Sequence, residues 1–409
     1  MLKDLLSKIS EYKEYAVEIE TGLTAIPALD PTSGGEGEYD KAVWLEGELK
    51  KLKFDELYRI DAPQATAKNG VRPNIIAKYY GENKNKTLWI MTHLDVVPPG
   101  ERSLWKTDPY KVHREGDKIY GRGVEDNQQG LVSSLLCVKA FMDLGMRPPV
   151  NIGLLFNADE ETGSVYGTGY VLKNRPDIIG KDDMFFIPDG GNAEGTMVEI
   201  AEKSLLWLKI RTAGKQCHAS MPKQGINAFR AASELVVKLN GLYRKFNAKE
   251  KLYTPAMSTF EPTKKEANVP NINTLPGDDV FYLDCRVLPQ YLLGDVKAEI
   301  RRLADEVEKK RGVKITIEVI QEVQAPKATD PDCEFVKLVT QTVKEIYKVK
   351  AKPMGIGGGT VAAYFREAGY PAVVFSKLDD TAHMPNESCT LTNLVGDAQV
   401  FAAVAMRLK

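Results

Sequence analysis

The sequence holds only four histidines in 409 residues, and two of them, His93 and His383, stand in stretches dense in carboxylates. In THLDVVPPG, His93 lies two residues before Asp95. On an extended segment these side chains point the same way, so the carboxylate can accept the second ring N–H and orient a metal-bound imidazole. A strand-end pair with no metal would use the same two residues. GRGVEDNQQG sets Asp126 in a glycine-containing turn at a helix start. A carboxylate there either caps the helix or bridges two metal ions from a rigid position. NADEETGS joins Asp159, Glu160 and Glu161. Consecutive carboxylates repel unless cations or solvent compensate. The run is therefore either a solvated acidic loop or a pair with unequal roles, one glutamate on metal and the other a general base. IPDGG offers Asp189, with two glycines that permit close backbone approach, and DDTAHMPNE offers His383 followed by Pro385 and Glu387. A turn and a surface loop are the plain readings of those two.

Elements must bring such residues together. TLWIM (87–91) ends just before His93, NIGLLFNA (151–158) before Asp159, DMFFIP (183–188) before Asp189, and PAVVFSKL (371–378) shortly before His383. Helical stretches lie between them, as at 127–144, where Leu131, Leu135 and Val138 share a face. Strands alternating with helices predict an α/β domain around a mostly parallel sheet. Ligands bind beyond the carboxyl ends of such strands, so the clusters converge on one edge.

The segment 203–320 reads as β-α-β-β-α-β, the ferredoxin-like order. SLLWLKIRTA, NAFRAASELVVKLNGLYRKF, NINTLPG with DVFYLDCRVLP, DVKAEIRRLADEVEKKRG closed by Gly312, and VKITIEVI supply the elements. We therefore expect residues 1–202 and 321–409 to form a discontinuous catalytic domain. Residues 203–320 form an inserted lid or dimerisation domain. A further helix is predicted at 333–348, and SGGEGEYD (33–40) reads as a flexible loop.

Lys plus Arg is 55 and Asp plus Glu is 56, which argues against a basic surface for nucleic acid. No apolar run approaches a membrane span, and the charged amphipathic N-terminus reads as a helix of a cytoplasmic protein. Cys137, Cys217, Cys285, Cys333 and Cys389 are scattered without a CxxC pair, which speaks against disulfides and a thiolate zinc site. A donor set of imidazoles and carboxylates without thiolate suits a hydrolytic dinuclear zinc, cobalt or manganese centre.

The ordered motifs THLDVVP, GRGVEDNQQG, NADEETGS, PDGG, GKQCHASMPKQGINA and AHMPNE resemble metallopeptidase family 20. That family includes aminoacylases, succinyl-diaminopimelate desuccinylase, acetylornithine deacetylase, carboxypeptidase G and dipeptidases. The resemblance spans nearly the whole chain. It implies two divalent ions per subunit, zinc before cobalt or manganese. His93 and Asp189 would bind one ion, Glu161 and His383 the other, and Asp126 both. Asp95 would orient His93, Glu160 would be the general base on metal-bound water, and the Asp126–Asn127 peptide would be cis. Asp189, where other members have Glu, leans towards a dipeptide or short peptide with a free amino group. N-acyl amino acid deacylation is the alternative.

The resemblance also implies that His218 stabilises the tetrahedral intermediate, reaching across a homodimer formed by the inserted domain. Cys217 stands where the family commonly has Ala. Asn273 and Arg286 match substrate-binding positions, the arginine suited to a substrate carboxylate, and Gly358, Gly359 and Thr360 match a glycine-rich stretch near that carboxylate. Arg286 could instead serve a surface ion pair. The glycines do not form a phosphate loop, because no lysine follows at the required spacing. His113 matches no ligand position and reads as structural. A metal-bound but inactive peptide-binding protein is the reading from another class; Glu160 weighs against it, because a binder needs no general base.

Overall fold

The computed structural model describes residues 1–408. The chain divides into two compact units. One comprises Met1–Ile200, Ala328–Met354 and Thr360–Lys409; the other comprises Ala201–Lys327 and Gly355–Gly359.

The first unit is built on an eight-stranded sheet. Its order is Glu56–Pro63, Val71–Tyr79, Val150–Asn157, Asn83–His93, Met184–Gly191, Ala372–Ser376, Met197–Glu202, Lys352–Ile356. The four strands from Val150–Asn157 to Ala372–Ser376 run parallel to their neighbours, and antiparallel pairs flank them. Val150–Asn157 is buried at every position, as a strand covered on both faces must be. On one face Leu391–Arg407 packs against Gln128–Asp143, Glu334–Tyr347 and Leu2–Ser10. On the other, Trp89, Phe185, Ile187 and Phe365 form the core, with Phe185 and Phe365 stacked at 3.8 Å between ring centroids. Truncating one of these rings to Ala costs about 3–5 kcal/mol.

The parallel centre explains why the motifs converge. His93 is the last residue of its strand, Asp159 to Glu161 follow Val150–Asn157, and Asp189 lies at the end of Met184–Gly191. A Cβ on Gly191 would sit 1.8 Å from the Ser376 carbonyl oxygen, so this glycine permits the close approach of the two strands beside Asp189.

The second unit carries a four-stranded antiparallel sheet in the order Thr259–Lys265, Asp278–Val287, Ser204–Ala213, Lys314–Val323. Helices Ala228–Leu239 and Leu293–Arg311 bury Leu235, Leu239, Val296, Ile300 and Val307 against Leu206, Leu208, Ile210 and Leu283. The β-α-β-β-α-β order holds, and Gly312 ends the long helix in the left-handed conformation (φ 71°).

Four details differ from the sequence expectation. NINTLPG contributes only the short strand Thr274–Leu275, which pairs with Cys217–His218 in a separate ribbon. The sheet strand is Thr259–Lys265, whose Pro262 is tolerated because the strand lies at the edge. Gly355–Gly359 belongs with the second unit, where Gly355 N–H donates to the Leu252 carbonyl at 2.7 Å and Lys203 N–H to the Ile356 carbonyl at 3.1 Å. SGGEGEYD is not a flexible loop throughout: Glu38 is fully buried on Arg72, and a helix starts at Tyr39. The single N-terminal helix is two, Leu2–Ser10 and Lys13–Thr24.

Candidate active site

The side chains of His93, Asp126 and Asp189 form one group of potential metal ligands, and those of Asp126, Glu161 and His383 form a second. In each group one ligand atom per residue lies within 4.8 Å of the others. Asp126 belongs to both through different oxygens. Its Oδ1 is 3.0 Å from His93 Nε2 and its Oδ2 is 3.0 Å from His383 Nε2. Asp189 Oδ1 completes the first group at 3.5 Å from His93 Nε2. Glu161 completes the second, with Oε2 at 3.1 Å from His383 Nε2. The Asp126–Asn127 peptide is cis.

Asp95 holds this centre from below. It is 1% exposed, and its carboxylate accepts the Glu160 N–H at 3.1 Å and the Glu161 N–H at 3.0 Å. One of its oxygens lies 3.5 Å from His93 Nδ1, while its backbone carbonyl sits nearer, at 3.0 Å. The ring is thus oriented mainly by the backbone of Asp95. Its carboxylate instead fixes the tandem glutamates, whose two N–H groups fit a two-oxygen acceptor. Glu160 itself makes no side-chain hydrogen bond among the described residues, which leaves its carboxylate free for a proton.

The acidic turn is also tied from behind. Asp159 adopts a left-handed conformation (φ 64°), and its N–H donates to Glu38 at 3.1 Å. Fully buried Arg72 donates to Glu38 through Nε at 2.6 Å, pairs with it again through Nη2, and donates to Asp30 through Nη1 at 2.7 Å. Arg72 Nη1 lies 3.7 Å from Asp159 as well. Asn127 Nδ2 donates to Asp189 Oδ1 at 2.8 Å and to the Pro188 carbonyl at 2.6 Å. Arg72, Glu38 and Asn127 escape sequence reasoning, because a buried cation 87 residues before the turn it supports leaves no local pattern. Asn127 does adjoin a recognised motif.

The electrostatics ask for cations. Burial pushes the Glu160 carboxyl well up, helped by Asp189, and burial raises Glu161 and Asp189 too. Burial acts against a charged His93, but Asp189 and Asp126 outweigh it and raise the imidazole well above its usual range. Hydrogen bonds to Asp126 and Glu161 push His383 up to about 10. Protons therefore crowd onto carboxylates and imidazoles alike. Two imidazolium charges offset only two of the five carboxylates Asp95, Asp126, Glu160, Glu161 and Asp189, whereas two divalent ions offset four. The donor set fits hard or borderline divalent metals.

The remaining expected residues lie in other places. His218 and Thr274 pair across the short ribbon, and Asn273 accepts the Ala219 N–H at 2.8 Å through its carbonyl. His218 is exposed, and its Nδ1 accepts the Ser220 N–H at 3.2 Å. A backbone N–H can only donate, so the neutral ring carries its proton on Nε2. Arg286 donates to Asp284 through Nε at 2.7 Å and Nη2 at 3.0 Å, and to the Gly357 carbonyl through Nη1 at 2.9 Å. A guanidinium has five N–H groups, so one remains on each Nη. Asp284, two residues before it on the strand, locks the arginine while leaving those two N–H groups unused. Gly359 has open space where a Cβ would stand, a Cβ on Gly358 would meet only Ile356 Cδ1 at 4.0 Å, and Thr360 Oγ1 accepts the Ala362 N–H at 3.2 Å. His113 is exposed, with Nε2 3.2 Å from Glu115 Oε1.

Paired imidazole-and-carboxylate groups sharing one aspartate, at the carboxyl edge of a parallel sheet, define a metal-dependent hydrolase. The chain belongs to peptidase family M20/M25/M40, whose model matches residues 89–407. It is similar to uncharacterized metallohydrolases of Methanocaldococcus jannaschii (40% identical over 409 residues, 95% of this chain and 98% of the relative) and Methanococcus maripaludis (39% over 407 residues, 94% and 97%). A succinyl-diaminopimelate desuccinylase of Nitratiruptor sp. is 27% identical over 323 residues, covering 78% of this chain and 83% of the relative. Among solved structures, aminopeptidase PepT from Bacillus cereus shares the fold with a TM-score of 0.76 at 18% identity, covering 96% of this chain and 98% of that one. Human carnosine dipeptidase 1 does so with a TM-score of 0.70 at 19% identity, covering 99% of both chains. No described helix is long and apolar enough to cross a membrane.

Proposed function

We propose that this metallohydrolase cleaves the amide bond of a dipeptide or short peptide, with two divalent ions, zinc before cobalt or manganese, held by His93, Asp126 and Asp189 and by Asp126, Glu161 and His383. The observation that carries the reading is the split of the Asp126 carboxylate, one oxygen on each ligand group. When bound, the ions supply Lewis acidity, polarising a carbonyl and lowering the pKa of water. Glu160, unpaired and raised by burial, takes the proton of the attacking water and passes it to the leaving amine. Asp95 keeps the Glu160 backbone in place throughout. His218, with its proton on Nε2, donates to the developing oxyanion. The two unused N–H groups of Arg286 receive a substrate carboxylate, an acceptor for which guanidinium is suited. Asn273, Gly358, Gly359 and Thr360 are assigned to the same end of the substrate.

The choice of peptide over N-acyl amino acid rests on Asp189, and the dipeptidase and aminopeptidase with the same fold are in keeping with it. The desuccinylase relatives keep the deacylase reading as the second one. We further assign a cytoplasmic location and a homodimer formed through the inserted unit, with His218 serving the partner's centre. Light scattering tests the dimer; a monomer at micromolar concentration contradicts it. The substrate test is amine release from unblocked dipeptides and from N-acetyl, N-succinyl and N-formyl amino acids, in buffers holding zinc, cobalt or manganese, with Glu160→Gln as the blank. Release from the dipeptides alone is expected. Release from the acylated set alone would make the enzyme a deacylase.

A further inference from the structure

We propose that Glu125 and Glu387 are positioning residues that latch the loop carrying Asp126 to the loop carrying His383. The inference rests on the proposed function, in which both of those residues hold metal. Glu125 is 2% exposed and Glu387 is fully buried. Glu125 directly precedes Asp126, yet its carboxylate serves the other loop. It accepts the Asp380 N–H at 2.7 Å, the Thr381 N–H at 2.6 Å and the Thr381 hydroxyl at 2.8 Å. Glu387 lies four residues past His383 and reaches the opposite way. Its Oε1 accepts the Glu125 N–H at 2.9 Å and the Asp126 N–H at 3.0 Å. Its Oε2 accepts the Gly123 N–H at 2.9 Å and Arg122 Nη1 at 2.6 Å. Each carboxylate thus belongs to one ligand loop and is bound by the backbone of the other.

This reciprocity matters because no sheet bond fixes His383. It lies between strands Ala372–Ser376 and Ser388–Thr390, in a segment with left-handed residues at Asp380 (φ 65°), His383 (φ 62°) and Asn386 (φ 61°). A carboxylate that accepts several backbone N–H groups fixes them in place directionally. Four-donor Glu387 and three-donor Glu125 therefore set the spacing between Asp126 and His383. His93 and Asp189 take theirs from strand ends. Losing the latch should loosen one ion selectively, the one assigned to Asp126, Glu161 and His383.

The test is calorimetric titration of zinc into metal-free wild type, Glu125→Gln, Glu387→Gln, the double variant and Thr381→Val. Wild type is expected to bind two ions. Each Gln variant should weaken one of them by roughly 10–100-fold, the range for residues that orient ligands, and leave the other within about threefold. The double variant should weaken it no more than the worse single, since both carboxylates hold the same pair of loops. Glu125→Gln should leave the melting temperature of the metal-free protein near wild type, Glu387→Gln should lower it because buried Arg122 loses its partner, and excess zinc should restore most turnover in both. Thr381→Val removes one of the three donors to Glu125, and with it the acceptor of the Ser388 N–H, and should shift the same ion by only a few-fold, which keeps the test open if a Gln variant does not fold. Two ions of unchanged affinity in every variant would overturn the latch alone. Equal weakening of both ions with a lower metal-free melting temperature would also overturn it, marking a general structural role. No zinc bound by wild type would overturn the proposed function and the latch together.

Discussion

The two ligand groups use similar donors but are built differently. In the first, His93 is 1% exposed and ends a central strand, and Asp189 ends the neighbouring strand with Asn127 bonded to one oxygen. In the second, the His383 side chain is 53% exposed on a loop with a left-handed backbone, and Glu161 follows a strand rather than belonging to it. Backbone ladders position one group; buried carboxylates clasping backbone amides position the other. A loop ligand can therefore be as well placed as a strand ligand, provided that side chains supply the bonds a ladder would have made.

The largest effect tests what the two groups share. Glu160→Gln should lower turnover by roughly 10²–10⁴-fold, the usual weight of a general acid–base group, with two zinc ions still bound per chain by elemental analysis. Loss of metal in that variant would show that Glu160 is a ligand instead.

Arg72→Met comes next. It strands fully buried Glu38 beside Asp30 and Asp159 without their cation, which should cost about 3–5 kcal/mol in urea unfolding of the metal-free protein. A loss below about 1 kcal/mol would mean that the acidic turn is not held through Arg72.

The contrast itself predicts unequal lability. Zinc release to a chelator should be biphasic. His383→Ala should remove the fast phase and His93→Ala the slow one, because the exposed loop ligand lets go first. A single phase, or the opposite assignment, would break the comparison between strand and loop.

The smallest effect is a pH dependence of the metal-free chain. His383 is raised to about 10, chiefly by hydrogen bonds to Asp126 and Glu161. Burial raises Glu387 to about 7 and Asp397 to about 6. In each case the folded chain holds protons more tightly than the unfolded one, so stability falls as pH rises from about 4 to 10. Asp126 is shifted the other way, but that contribution is lost only below its ordinary value of 3.8. The melting temperature of metal-free protein should decline across that window, and the gain on adding zinc should grow. A metal-free melting temperature that rises between pH 5 and 9 would contradict the charge balance described here.

Much of this site is legible in the sequence. THLD, NADEE and PDGG each end or follow an apolar run, and strand-end position is enough to bring His93, Glu161 and Asp189 together; GRGVED marks Asp126 at a helix start, and AHMPNE places His383 on the loop beyond the last of these runs. What stays hidden has a common cause. Arg72, Glu38, Glu125 and Glu387 act through contacts between segments far apart in the chain, and no local spacing marks them. Glu387 stands within a recognised motif, yet only its four backbone and guanidinium donors reveal its task. The strand Thr259–Lys265 is missed for another reason: one buried residue, Phe260, and a proline at an edge leave no alternation to read. Glu38 is mistaken for part of a mobile glycine-rich loop because composition records polarity and not the buried partner.

Anomalous X-ray diffraction from crystals grown with zinc tests the central claim most directly. Two peaks, one beside each oxygen of Asp126, with His93 and Asp189 on one and Glu161 and His383 on the other, are the expected result. A single peak, or two peaks that do not share Asp126, would contradict it.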